Sequence, residues 1–134
     1  MNHAQAQANV QLVLDWIDAL RRGDIDSIVE RYHPDVAWED VAGGLACEGR
    51  EQVLAWLRAA PVQSPQVDAL VLLADAAHAV LGVGNHAFQE LAGVQLDGQL
   101  FTVFTLRDGQ IVHQRDHAHR AEALSDAGLA HQCR

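Results

Sequence analysis

Two aspartates stand where they could do proton-transfer chemistry together. Asp116 lies in a run, Ile111 to His119, that reads as a strand. Period-2 alternation puts Val112, Gln114, Asp116 and Ala118 on one face and Ile111, His113, Arg115, His117 and His119 on the other. If the first face points inward, Asp116 is a carboxylate among apolar walls. Burial disfavours its charged form and raises its pKa, which makes it a usable base or acid near neutrality. If that face points outward, Asp116 is an exposed or Arg-paired residue at a strand end. Asp40 closes the run Val36-Ala37-Trp38-Glu39-Asp40 and has a similar choice. It is either a pocket base or a loop residue capping the turn before Gly43-Gly44. Two carboxylates on one cavity push their pKa values apart, which gives one proton donor and one acceptor.

Other polar groups are more ambiguous. Asn85 and His86 are neighbours on a central strand, so only one points inward unless a bulge intervenes. His86 is either an alternative base or a structural histidine. His117 and His119 have an i, i+2 spacing that suits a metal, but no carboxylate or Cys accompanies them at ligand spacing. No metal is therefore expected, and the strip His113, His117 and His119 reads as a polar or partner-facing surface. Tyr32 carries a hydroxyl that needs a partner when buried and could hydrogen-bond a substrate oxygen.

These residues must be positioned by the elements around them. Val10, Val13, Leu14, Ile17 and Leu20 follow the i, i+3, i+4, i+7 rule, which predicts a helix over about 4–22. Gly23 ends it. Asp24 is expected to cap a short second helix with Ile25, Ile28, Val29 and Tyr32 on one face, and His33-Pro34-Asp35 to stop it. A short strand over 36–40 follows, then a break at Gly43-Gly44, then a third helix over about 50–60 with Val53, Trp56 and Leu57. Strands are expected over 67–73, 78–91 (bulged at Gly82 or Gly84), 99–106 and 111–119. Arg107-Asp108-Gly109-Gln110 is a hairpin turn, because Asp-Gly suits positive φ angles. One helical turn is expected near Ala121 to Leu124, within a polar tail, 121–134. Helices first and a strand meander afterwards predict an α+β fold with helices on one face of a curved antiparallel sheet. That makes a cone with an apolar interior, a default small-molecule site.

Composition narrows the classes further. The chain has 134 residues, which is one domain. Its net charge is −9, and its nine basic residues are all Arg. With no basic run, nucleic acid and anionic membranes are poor partners. With no Lys, a Lys Schiff base or Lys phosphate loop is excluded. Cys47 and Cys133 are far apart and neither lies in a C-x-x-C, so neither a disulfide framework nor a cysteine zinc site is expected. No apolar run reaches the ~18 residues of a membrane helix, and no secretory signal is visible, so a cytoplasmic location is the expectation.

Four pieces then resemble one family, over about residues 8–120. They are Arg22-Gly23-Asp24-Ile25-Asp26; Tyr32-His33-Pro34-Asp35-Val36-Ala37-Trp38-Glu39-Asp40; Glu48-Gly49-Arg50-Glu51; and Phe104-Thr105-Leu106-Arg107-Asp108-Gly109-Gln110-Ile111-Val112 running into Arg115-Asp116-His117. Their order and spacing resemble the SnoaL-like group of the NTF2-like superfamily. The resemblance implies a cone of curved sheet with three N-terminal helices enclosing a pocket, and a homodimer through the outer sheet face. The fold hosts isomerases, dehydratases, cyclases, epoxide hydrolases and non-catalytic binders, so it does not name a reaction.

Two enzyme families in the superfamily bear on particular residues. Against ketosteroid isomerases, the general-base position falls at Asp40, the oxyanion-hole Tyr at Trp16 and the oxyanion-hole Asp near Thr102. Against limonene epoxide hydrolases, the water-activating Asp falls at Asp116 and the water-holding Tyr and Asn at Trp38 and Asp40. The second Asp falls at Asn85 and the Arg at about Val83. The resemblance also implies that Trp16, Tyr32 and Trp38 line the cavity. The expectation is a cofactor-independent acid/base enzyme acting on a small apolar, oxygen-bearing molecule. Asp40 and Asp116 are its catalytic pair, and Asn85, His86, Trp16, Tyr32, Trp38 and Thr102 are its substrate contacts. The alternative is a non-catalytic ligand-binding or dimerisation module on the same cone. A third possibility is a partner-binding surface, which would need a large exposed apolar patch on the sheet.

Overall fold

The computed structural model describes residues 3–59, 69–84, 89–91 and 93–129. Helix α1 (His3–Arg22) leads into a 3₁₀ segment (Ile25–Arg31), strand β1 (Tyr32–Glu39), strand β2 (Leu45–Glu48) and helix α2 (Arg50–Ala59). Strands β3 (Ala69–Ala74), β4 (His78–Gly84), β5 (Glu90–Leu91), β6 (Val94–Gln95), β7 (Gln99–Arg107) and β8 (Gln110–His117) follow, then helix α3 (Arg120–Asp126). The six-stranded sheet runs β2-β1-β8-β7-β4-β3, and β5 and β6 form a separate pair. All pairings are antiparallel except β1 with β8, which are parallel. This is the expected α+β, NTF2-like arrangement, with one parallel contact inside a sheet expected to be wholly antiparallel.

α1 matches its expected span, but its buried stripe is turned by one position. Asn9, Leu12, Val13, Trp16 and Ala19 are buried, while Leu14 is exposed. Two polar contacts account for the turn: Asn9 donates to the Asp75 carbonyl at 2.9 Å, and Trp16 reaches Tyr32. Gly23, at φ +70°, ends the helix. Contrary to expectation, Asp24 does not cap the next segment with its side chain. Its carbonyl accepts from Ser27 instead, and its carboxylate takes Arg22.

The strands differ from expectation at three places. β1 starts at Tyr32 rather than Val36, and Pro34 is tolerated because pairing with β8 lapses between Tyr32 and Ala37. β4 runs in unbroken register with both neighbours, so neither Gly82 nor Gly84 bulges. The bulge is on β8: Thr105 pairs with His113 and Leu106 with Ile111, which leaves Val112 over. That extra residue buries Ile111 together with Gln114 and Asp116, against the simple alternation. The turn is as expected, with Asp108 and Gly109 both at positive φ. Residues 67, 68 and 85–88 of the expected strands lie outside the described residues.

The core lies on the concave face, between α1, the 3₁₀ segment, α2 and the sheet, and includes Trp16, Ile28, Tyr32, Val36, Trp38, Phe104 and Ile111. A second, smaller cluster lies on the convex face. There Ala123, Leu124, Ala127 and Leu129 cover Val80, Phe101 and Val103. Gly82 belongs to this packing, because a Cβ there would come 2.7 Å from the Phe101 ring. Gly82→Ala is therefore expected to displace Phe101 and cost about 1–3 kcal/mol, read as a lower urea midpoint. An unchanged midpoint would show that the ring shifts freely.

No helix among the described residues is long and apolar enough to cross a membrane.

Candidate active site

β8 carries the site because both of its neighbours present polar side chains to its one carboxylate, Asp116. Asp116 pairs with Thr102 on β7, and Trp38 on β1 pairs with Gln114. The Thr102 hydroxyl donates to Asp116 Oδ1 at 2.9 Å, and the Trp38 indole N–H donates to Oδ2 at 3.1 Å. Asp116 is only 6% exposed. Neither donor carries a charge, so their two bonds offset only part of the carboxylate's lost hydration. Burial pushes its pKa up to about 6; the Thr102 and Trp38 bonds pull down, nearby Asp40 pushes up and His117 pulls down. The carboxyl thus titrates near neutrality. The indole can only donate, so this arrangement suits the ionised, proton-accepting form.

Beside it runs a second polar chain. The Trp16 indole N–H donates to Tyr32 Oη at 2.7 Å, and Tyr32 Oη donates to Gln114 Oε1 at 3.0 Å. Tyr32 and Gln114 are fully buried. Burial raises the Tyr32 hydroxyl well above the ordinary phenol range, so it stays protonated. Gln114 was not among the expected site residues. The signal for it was present, since alternation placed it on the Asp116 face two residues earlier.

Asp40 sits in the turn between β1 and β2. Its Oδ1 accepts from the backbone N–H groups of Ala42 and Gly44, each at 2.9 Å, so it does cap the turn before β2. It also lines, with Asp116, an open cleft of about 380 Å³, whose charged lining, Glu39, Arg115, His117 and Glu122, comes from the outer face of β1 and β8 and from α3. Turn cap and cleft carboxylate are thus one residue. Asn85 and His86 lie outside the described residues.

The opposite face of β8 is ionic. Glu39 accepts from Arg115 at 2.7 Å and contacts His113 at 2.6 Å, and Asp126 of α3 contacts His117 at 2.9 Å. The bond from Arg115 is the main reason the Glu39 carboxyl lies below its usual range. Two of the three β8-face histidines thus face carboxylates, and His119 is exposed. No group of three metal-ligating side chains occurs among the described residues.

Comparison with known proteins shows which fold carries these residues. A candidate polyketide cyclase from Xanthomonas campestris is similar at 20% identity and a TM-score of 0.63, over 92% of this chain and 98% of that one. An LEH-like epoxide hydrolase from M. tuberculosis is similar at 18% identity and a TM-score of 0.63, over 95% and 96%. A candidate ketosteroid isomerase from Kribbella flavida is similar at 20% identity and a TM-score of 0.61, over 87% and 81%. At such identities the likeness establishes the fold alone. No curated protein matches the chain. The family model of the SnoaL-like domain matches residues 13–114, ending two residues before Asp116. Spanning most of the chain, that match shows that it belongs to the SnoaL-like family, on the NTF2-like fold.

Proposed function

We propose that the chain is a cofactor-independent acid/base enzyme acting on a small apolar molecule that bears an oxygen function. The reaction class is proton transfer: isomerisation, cyclisation, dehydration or epoxide opening. Asp116 takes the proton, Thr102 and Trp38 hold its two oxygens, and Asp40 is the second carboxylate on the same cleft. The observation that carries the reading is a deeply buried carboxylate bonded only to neutral donors. Such a group is costly to keep for packing alone, and its environment tunes it for chemistry near neutral pH.

The test compares wild type with Asp116→Asn on an epoxide-hydrolysis panel and an unsaturated-ketone isomerisation panel. Equal rates in every assay that shows turnover remove Asp116 from the mechanism. With Asp116 as base, kcat/KM is expected to rise with pH through about 6, because the carboxylate is the working form. A profile that falls through that pH makes Asp116 the acid instead.

One observation favours a second reading, a non-catalytic binding module. The Trp16 N–H and the Tyr32 hydroxyl are occupied by each other and by Gln114, so neither is free to polarise a substrate oxygen. That reading predicts saturable binding of a small apolar ligand without turnover. In either case a homodimer through the outer sheet face would use the β1–β8 side, since α3 covers Val80, Phe101 and Val103.

A further inference from the structure

We infer that Trp56 is a positioning residue: its ring, packed edge-on against Trp38, holds the Trp38 indole in the one orientation that bonds Asp116. This rests on Asp116 as the reacting group, but it is tested without turnover, so the two ideas fail separately.

The argument begins with the donors to Asp116. The Thr102 hydroxyl can rotate to suit its surroundings, whereas the Trp38 N–H is fixed at one edge of a rigid ring. A turn of that ring about its side-chain bonds aims the N–H elsewhere, and a hydrogen bond weakens steeply once it bends far from linear. Something must therefore fix the ring. Trp56 meets it with ring centroids 4.8 Å apart and planes at 72°, the edge-to-face arrangement that aromatic pairs favour. Trp56 comes from α2, whose buried Val53, Leu54 and Leu57 seat the helix against the core. Trp56 is itself 51% exposed. A large ring left half in water contributes less to the core than its size suggests, and the ring it packs against is Trp38. The contact chain thus runs from the surface, through two indoles, to a buried carboxylate.

The groups that face or influence Asp116 come from every neighbouring element. They are Trp38, Tyr32 and Glu39 of β1, Asp40 of the following turn, Thr102 of β7, Arg115 and His117 of β8 and Glu122 of α3. Trp56 carries no charge and is not among them. A change in Asp116 on replacing Trp56 must then pass through Trp38.

The chain has three Trp, so a proton–nitrogen correlation spectrum of the intact protein shows three indole N–H signals. The Trp38 signal should titrate with Asp116, and Asp116→Asn should abolish that titration. The Trp16 signal, bonded to Tyr32, is the internal reference for an intact fold. In Trp56→Leu, the Trp38 signal is expected to move toward the position of a solvated indole. The Asp116 midpoint should then rise by roughly 0.5–1 pH unit, because its charged form loses a donor. Trp56→Phe, which keeps a ring, should restore both. Should Trp56→Leu not fold, Trp56→Met removes the ring equally. The proposal is overturned if the Trp38 signal and the midpoint stay at wild-type values without the ring, or if Trp56→Phe changes them as much as Trp56→Leu.

Discussion

Asp116→Asn is expected to lower turnover by about 10²-fold or more, the usual scale for losing a positioned acid or base, while making the protein more stable at pH 8. The two effects share one cause. Asp116 has a folded-state pKa of about 6, above its ordinary 3.8. Below the lower value both folded and unfolded states are protonated, and the folded carboxyl carries no penalty. Between the two values the unfolded chain releases its proton while the folded one keeps it, so stability falls as pH rises. Above the folded pKa the penalty is complete, at ~3 kcal/mol for a shift of about two units. Asparagine removes the charge and keeps both contacts: its Oδ1 can accept from Trp38, and its amide N–H₂ can donate to the Thr102 hydroxyl. Urea unfolding of both proteins across pH 4 to 8 isolates this group, since their other titrating residues are the same. The variant should gain over wild type between about pH 4 and 6 and hold its gain above. A variant no more stable than wild type at pH 8 would mean that the carboxylate is well solvated, and the case for a tuned base would fall with it.

Tyr32→Phe is expected to destabilise the fold by about 2–4 kcal/mol. The ring remains, so no cavity opens. What is lost is one hydroxyl that accepts from Trp16 and donates to Gln114. Both partners are buried, and each is left with an unpaired polar atom, which costs more than the net value of a hydrogen bond. A double variant with Gln114→Leu should cost less than the sum of the single changes, because the second replacement removes one of the orphaned groups. A loss below ~0.5 kcal/mol for Tyr32→Phe would show that water reaches both partners. Turnover separates the two readings of the site. The acid/base reading routes its proton through Asp116, so Tyr32→Phe should leave kcat largely intact in protein that remains folded.

Much of the fold was legible because its signals are local. The period of α1, the Gly23 stop and the Asp108-Gly109 turn are properties of short stretches, and each lies where expected. β2 was missed because Leu45–Glu48 is short, buries only Cys47 and shows no alternation. The turned stripe of α1 was missed because a hydrophobic count ignores that Asn9 and Trp16 have polar partners inside. The bulge was sought at a glycine on β4, but it arises at Val112, where two strands disagree in length around a tight turn.

The candidate site divides in the same way. That Asp116 and Gln114 share a face followed from the two-residue period of a strand, and the sequence by itself also determined the order of the helices and the longer strands and the acidic, lysine-free composition. What only the tertiary structure decided is who meets whom. The donors to Asp116 lie 14 and 78 residues away, and the acceptor for Tyr32 lies 82 residues away. Those meetings are set by strand order, the parallel β1–β8 pairing and its register. None of these is encoded in the pattern of one strand, since a shift of one residue exchanges every inward side chain for an outward one.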